Sequence, residues 1–286
     1  MTTNGPRPGA SGAVGDAYAS REAAEAWRTR TADRDRVLGP ATALMLDLAG
    51  VQVGSRVLDV GAGTGDETLL AARRVGPTGH VLATDMHASM LEVAAAAAVR
   101  AGLGNVETRA MDAQRLELAP DSFDAAISRL TLILLPDPRA ALVGIRRALT
   151  PGGKLAAIVY SAPERNPLSW IPLTIARQRG LLPAFVPDRP GMFALGAPGV
   201  FEAVLREAGF RDVAVRATAT AQRYPSTAEA VRYLRESTPL LREPLAELTD
   251  AERGEVWSEV ERELRRFAGG DGFEAPGEVL IGVGTK

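Results

Sequence analysis

The run Val57-Leu58-Asp59-Val60-Gly61-Ala62-Gly63-Thr64-Gly65-Asp66-Glu67 leaves little freedom in how the chain around it can fold. An apolar strand passes directly into glycines at three alternate positions and then into two acids. The glycines remove side chains where a ligand must meet the backbone, and they permit the φ values of a tight strand-to-helix turn. Such a turn aims backbone amides at a ligand from a helix N-terminus, as phosphate sites do. The dinucleotide fingerprint needs glycines at 61, 63 and 66, however, and position 66 is Asp. There is no Gly-Lys-Ser/Thr, so a P-loop is excluded. Asp66 and Glu67 suit a helix dipole but would repel a pyrophosphate. The turn is predicted to hold a nucleoside without phosphates, and a ligand bearing an ammonium and a sulfonium suits it better.

Downstream spacing extends this reading. His80-Val81-Leu82-Ala83-Thr84 is a second short apolar strand, ending in Asp85-Met86. An acid at the tip of a second strand, about 20 residues past the glycine turn, holds ribose hydroxyls in nucleoside sites. Further strands are predicted near 105–109, 123–128 and 154–160, with a helix after each of the first four strands. Helix 89–101 is nearly all alanine, which favours helix formation. This alternation predicts a parallel sheet with helices on both faces and a ligand crevice at the strands' C-terminal ends. Residues 17–50 read as helices carrying Ala24, Trp27, Val37, Leu38, Leu44, Leu46 and Leu48, broken at Gly39-Pro40.

Composition removes several other classes. At 286 residues and 46% hydrophobic content, the chain can build one large α/β domain with a modest cap. A net charge of −2 makes no case for nucleic acid or an anionic membrane. The lack of cysteine excludes disulfides, a thiol nucleophile and Cys-based metal sites, and makes a cytoplasmic location the default. No apolar run approaches the ~20 residues of a membrane span. The first 15 residues hold no apolar core of a secretory signal. Residues 1–16 are expected to be flexible, a lid that orders over substrate being the alternative.

Met111-Asp112-Ala113 follows the third strand, and Phe123-Asp124-Ala125-Ala126-Ile127-Ser128-Arg129 forms the fourth. With the motifs above, residues 55–160 resemble the class I S-adenosylmethionine (SAM)-dependent methyltransferases. The segments Ser128-Arg129 to Pro136-Asp137-Pro138, Leu149-Thr150-Pro151-Gly152-Gly153-Lys154, Pro163-Glu164-Arg165-Asn166-Pro167 and Pro190-Gly191-Met192-Phe193 are similar to the ubiquinone/menaquinone-methyltransferase-like branch. The resemblance implies a Rossmann-like α/β fold: a seven-stranded, mostly parallel sheet whose last strand is reversed, with helical cap insertions. Residues 17–286 would be one domain, 55–160 the SAM-binding core. After Tyr160 the Pro-rich stretch 163–197 is too irregular for one long helix. A helix at 199–208 and a strand at 211–222 resume the sheet. Residues 227–268 read as helical, with Val256, Trp257, Val260, Leu264 and Phe267 as an apolar stripe, and 278–284 as a strand antiparallel to 211–222. Segments 163–197 and 227–268 would be cap elements over the substrate.

The resemblance also implies roles. Gly61, Ala62, Gly63 and Gly65 would border the methionine half of SAM, with Asp59 beneath the turn orienting its amino acid end. Asp85 would accept from the ribose hydroxyls, and Met86 would lie against the adenine. Asp112 and Ala113 would meet the adenine edge. The carbonyl of Ser128 would take the SAM ammonium, while Arg129 would pair with the SAM carboxylate or Asp59, or simply brace strand four. Trp170, Phe185, Met192, Phe193 and Tyr233 suggest a hydrophobic substrate pocket, ordinary core packing being the alternative for each. The expected ligands are SAM, its product S-adenosylhomocysteine and an apolar small molecule, with no metal, in a monomer or homodimer.

Methyl transfer demands mainly in-line alignment. A base is needed only where the acceptor must lose a proton early. Of the two histidines, His80 is expected at the surface and His87 beside the adenine, which disfavours a His-based mechanism. Tyr18 and Tyr160 are the candidate catalytic residues, Glu164 and Tyr233 being further base candidates; Tyr18 and Tyr160 read more readily as shape or hydrogen-bond contributors than as bases. An electron-rich carbon or an amine needs only weak assistance, and the branch resembled tilts the expectation to carbon. The rival readings are a cyclase or pericyclase that binds SAM without methyl transfer, a non-catalytic SAM-binding protein, and, weakened by Asp66, an NAD-dependent oxidoreductase.

Overall fold

The computed structural model describes residues 20–186 and 189–286. Ser20 caps α1 (Arg21–Arg28), its hydroxyl accepting from the Ala23 amide at 3.0 Å. The expected break at Gly39-Pro40 is absent: α2 runs unbroken over Thr31–Leu48. An internal proline costs a helix about 3 kcal/mol. Here Leu38, Ala41, Met45 and Leu46 of α2 are buried, and each large apolar side chain contributes about 1.5–3 kcal/mol, enough to outweigh it. The chain bends instead at Thr29-Arg30.

The core then alternates as β1 (Arg56–Val60), α3 (Asp66–Val75), β2 (His80–Asp85), α4 (Ala88–Arg100), β3 (Val106–Ala110), β4 (Phe123–Arg129), α5 (Pro138–Ala148) and β5 (Leu149–Tyr160). No α-helix follows β3, where one was expected; a single 3-10 turn, Ala113–Arg115, leads into extended chain. Leu116 and Leu118 alternate into the core, and Arg147 holds their carbonyls at 2.9 and 3.0 Å, so extended backbone suits this segment. Next come α6 (Pro167–Gln178), α7 (Val200–Glu207) and β6 (Arg211–Ala219). The expected strand 211–222 ends early, and β7 (Gln222–Tyr224) belongs to another sheet. Residues 227–268 divide into α8 (Thr227–Ser237), α9 (Pro239–Ala246) and α10 (Asp250–Leu264). Ser226 caps α8, and a Thr249/Glu252 capping box starts α10. Short β8 (Ala268–Gly269) and β9 (Gly272–Ala275) precede β10 (Glu278–Thr285).

The main sheet has the order β3-β2-β1-β4-β5-β10-β6. Its first five strands are parallel, and β10 lies antiparallel between β5 and β6, which is the reversed last strand expected. This is a Rossmann-like class I methyltransferase sheet. The strand order turns back between β1 and β4, the switch point where such sheets bind ligands. Side chains alternate across it: Leu58, Ala126, Leu155 and Ala157 face α5 and α7, while Val57, Ile127, Ala156 and Ile158 face α2 and α3. With both faces covered, the central strands are mostly apolar, the buried exceptions being Asp59 of β1 and Ser128 and Arg129 of β4. A second sheet, β7-β9-β8, packs with α6, α8, α9 and α10 around a third core that includes Leu168, Leu234, Trp257 and Phe273. Both segments expected to form a cap therefore share one hydrophobic cluster.

Candidate active site

The turn after β1 sits at the switch point. Gly61, Gly63 and Gly65 have φ of +76°, +53° and +90°, a region L side chains rarely adopt. A Cβ on Gly61 would lie 2.0 Å from Thr131 Oγ1, and one on Gly65 2.9 Å from the Ala94 Cβ of α4. The Gly61 and Ala62 amides donate to the Thr84 carbonyl at 2.8 and 2.9 Å, tying the turn to the end of β2. From that end Asp85 reaches back. Its Oδ2 accepts from the Gly63 amide at 3.0 Å and its Oδ1 from the His87 amide at 2.9 Å. Burial raises the Asp85 carboxyl, opposed by these two amides.

Beneath the turn lies a buried ionic network. Asp66, at the start of α3, receives Arg34 of α2 at 2.7 Å and Thr31 Oγ1 at 2.9 Å. Arg129, at the end of β4, binds Glu67 at 2.7 Å, Asp66 at 3.3 Å and Thr42 Oγ1 at 3.1 Å. Two guanidiniums thus neutralise the two acids expected to repel a pyrophosphate, so that repulsion is not available locally. Arg129 makes no hydrogen bond to Asp59 among the described residues. Asp59 is fully buried, its Oδ2 accepting from Thr68 Oγ1 at 2.5 Å while Oδ1 has no partner among the described residues. Burial, reinforced by Glu67, holds the Asp59 carboxyl well above its ordinary value. Burial likewise raises Glu67, with Arg129 opposing.

A cavity of about 610 Å³ opens above this floor, within the range of roughly 300–1,000 Å³ usual for small-molecule sites. Gly61, Ala62, Gly63, Asp85, Met86, Asp112, Ala113 and Arg129 all line it. Asp59, Gly65 and Ser128 do not. Asp59 is covered by the turn, Gly65 abuts α4, and Ser128 is buried with its hydroxyl donating to the Val60 carbonyl at 2.9 Å. Asp112 accepts from the Gln114 amide at 2.9 Å and so caps its 3-10 turn. His87 lines the cavity, while half-exposed His80 lies 3.4 Å from Glu107.

On the cap side Met192, Tyr160 and Tyr233 line the cavity, but Trp170, Phe185 and Phe193 do not. Trp170 packs edge to face on both phenylalanines, 5.2 Å from Phe185 and 5.6 Å from Phe193, in the core that joins α6 to α10. Burial raises the Tyr233 hydroxyl, opposed by its hydrogen bond with Ser237. Tyr18 lies outside the described residues. Sequence patterning does not single out Trp27, Arg34 or Thr131, yet all three line the cavity. Trp27 stands above the turn, its indole nitrogen the nearest atom to where a Cβ on Gly63 would project, and Arg34 stacks 4.3 Å from its ring centroid. Nothing local distinguishes Arg34 from Arg28, Arg30 and Arg36; only the crossing of α2 over α3 buries it. Among the described residues, no cluster of three or more His or acidic side chains is arranged to hold a metal, and no helix is long and apolar enough to cross a membrane.

A parallel sheet with one reversed strand, a glycine turn at its switch point and an acid from the next strand bound to that turn define the class I SAM-dependent methyltransferase architecture. A family model described as a methyltransferase domain matches residues 52–176. Over 122 residues the chain is 40% identical to the ubiquinone/menaquinone biosynthesis C-methyltransferase UbiE of Teredinibacter turnerae, covering 42% of this chain and 49% of that protein. The chain spans about half the length of the curated relatives it matches. Among solved structures, the YcgJ protein of Bacillus subtilis superposes with a TM-score of 0.58 at 20% identity, over 87% of this chain and 98% of that one. The [4+2]-cyclase SpnF superposes at 0.52 and 21% identity, over 86% and 80%. These two likenesses concern the fold alone. Residues 52–176 are a class I SAM-dependent methyltransferase domain related at moderate identity to the UbiE family.

Proposed function

We propose that the protein transfers a methyl group from SAM to an apolar small molecule, with carbon the favoured acceptor atom. The observation that carries this reading is the contact between Asp85 and Gly63, which sets a hydrogen-bonding carboxylate beside a side-chain-free turn at one end of the cavity. The apolar cap side, with Leu173, Met192, Leu234 and Leu240, supports an apolar partner. The residues suit the cofactor. Gly61 and Gly63 leave the backbone bare, Asp85 would accept from the ribose hydroxyls, and Met86 and Ala113 would flank the base. Bound there, SAM would supply an electrophilic methyl on a sulfonium.

The chain's own contribution is then alignment and exclusion of water. The ionic network beneath the turn fixes its conformation, and the cap cluster closes the apolar end. Tyr160, at the tip of β5, borders the acceptor in this reading. We assign the rate chiefly to proximity and orientation, worth up to about 7–11 kcal/mol of a barrier in favourable cases. The kinship with C-methyltransferases favours carbon, and residues 17–286 are proposed to act as one catalytic unit.

The test is incubation with methyl-labelled SAM and a panel of apolar aromatic acceptors. Label extracted into organic solvent, with stoichiometric S-adenosylhomocysteine, is the expected result. A rearranged acceptor carrying no label would favour a cyclase instead, as the shared fold with SpnF permits.

A further inference from the structure

Sulfur occurs in this chain only as thioether, since it has no cysteine and six methionines. Met1 lies outside the described residues, and Met86, Met90, Met111 and Met192 all line the cavity. Their surroundings differ. Met45 is buried in the cluster around α2, and Met90 is 3% exposed between α1 and α4. Met111 and Met192 are partly buried and pack against two further apolar clusters. Met86 is 45% exposed and belongs to no hydrophobic cluster among the described residues. It is held out of the core yet kept on the cavity wall.

The backbone around it is fixed. Asp85, directly before it, accepts from the Gly63 amide at 3.0 Å and, beyond Met86, from the His87 amide at 2.9 Å. The Asp85 carbonyl takes the Met111 amide at 2.8 Å. A nucleoside base laid along this wall would cover the thioether. Without a ligand the sulfur stands open to small oxidants, and thioether oxidation follows exposure. With a peroxide the step balances. A sulfur lone pair attacks one peroxide oxygen, and the O–O bond breaks as the S–O bond forms. The transferred oxygen passes its proton to the departing hydroxide, which leaves as water. Sulfur loses two electrons and the peroxide gains them. The product is a sulfoxide, which puts a polar, chiral group where a flexible apolar wall stood.

We propose that Met86 is a modification site, at which a peroxide converts the thioether to the sulfoxide and so weakens cofactor binding, while bound cofactor shields the sulfur. This goes beyond the methyl-transfer reading but rests on its assignment of the cavity to SAM. Occupied protein is spared and empty protein is switched off, reversibly, because methionine sulfoxide can be reduced enzymatically.

The test treats the protein with hydrogen peroxide, with and without saturating S-adenosylhomocysteine. Peptide mass spectrometry locates each added oxygen, and calorimetry after removal of peroxide measures affinity for S-adenosylhomocysteine. Without ligand, Met86 should gain oxygen at least about fivefold faster than Met45, Met90, Met111 or Met192, and ligand should slow it by about the same factor. The oxidised protein should bind at least about tenfold more weakly, the cost of setting an unpaired polar oxygen against the base. Methionine sulfoxide reductases of both epimer specificities should restore the affinity. In Met86→Leu, whatever its starting affinity, peroxide should change binding by less than about twofold. Faster oxidation at another of these methionines, no protection by ligand, unchanged affinity after Met86 is oxidised, or equal peroxide sensitivity in Met86→Leu would overturn the proposal. Should that variant fail to fold, the mapping and the affinities of the wild-type protein decide. Absence of S-adenosylhomocysteine binding by the untreated wild-type protein is a separate outcome, and it would reject the methyl-transfer reading itself.

Discussion

Replacing Arg129 by Leu removes the one cation that reaches Glu67 among the described residues. In the native fold Arg34 and Arg129 balance Asp66 and Glu67, and all four side chains are at most 8% exposed. The variant keeps two buried carboxylates and a single guanidinium, which touches only Asp66. Thr42 Oγ1 also loses the donation from Arg129 Nη1 at 3.1 Å, keeping only its own donation to the Leu38 carbonyl at 2.9 Å. Breaking a buried pair from one side costs about 3–5 kcal/mol, because the remaining charge stays desolvated. At about 2–4 °C per kcal/mol for a large domain, the melting temperature should fall by about 10 °C. Urea unfolding at pH 7.5, followed by tryptophan fluorescence, measures the loss directly. The pH dependence adds a second signature. Burial already raises the Glu67 carboxyl, and removing the guanidinium raises it further. A raised folded value means the native state binds a proton the unfolded chain has released, so stability falls as pH rises above 4.5. The penalty of Arg129→Leu should therefore shrink as pH drops from 8 towards 5. Adding Glu67→Leu should recover part of the loss, since the double variant leaves no unpaired charge at that position. A loss below about 1 kcal/mol, or strict additivity of the two substitutions, would refute the reasoning.

Three further outcomes follow from the same site. Asp85→Ala removes the acceptor expected to hold both ribose hydroxyls; calorimetry should show affinity for S-adenosylhomocysteine falling at least about a hundredfold in a protein that still melts cooperatively. Gly61→Ala puts a Cβ at φ +76° and 2.0 Å from Thr131 Oγ1, so the turn must shift; the variant should lose measurable cofactor binding, while Thr131→Gly added to it should restore part. Asp59→Asn tests the buried carboxyl under the turn. Asp59 ionises near 3.8 when unfolded and well above that when folded, so between those values the wild-type fold loses stability as pH rises. The amide cannot titrate, and paired melts should show the variant gaining on the wild type from pH 4 to pH 8.

How much of this was legible in the sequence differs by element. The central parallel strands could be read because each carries an apolar run buried on both faces, the edge strand β3, Val-Glu-Thr-Arg-Ala and mostly exposed, because it falls in the β/α alternation, and the reversed β10 because its apolar pattern pairs with β6. Gly39-Pro40 misleads because a local penalty of about 3 kcal/mol is invisible against the tertiary burial of α2. The glycine-turn end of the cavity was legible for a different reason: Gly61, Gly63, Asp85 and Asp112 sit at strand ends, and topology alone brings strand ends together. The cap end was not. Trp170, Phe185 and Phe193 carry the same aromatic signature whether they wall a pocket or stack in a core, and helix packing decides it. Arg34 has no local mark at all and Trp27 reads only as an apolar helix position, because their placement over the turn depends on crossings between helices.

The most direct measurement is a calorimetric titration of the purified protein with S-adenosylhomocysteine and, separately, with NADH. The account predicts one site of micromolar affinity for the first and none for the second. Binding of NADH in its place, or of neither ligand, would contradict the assignment of the cavity to SAM.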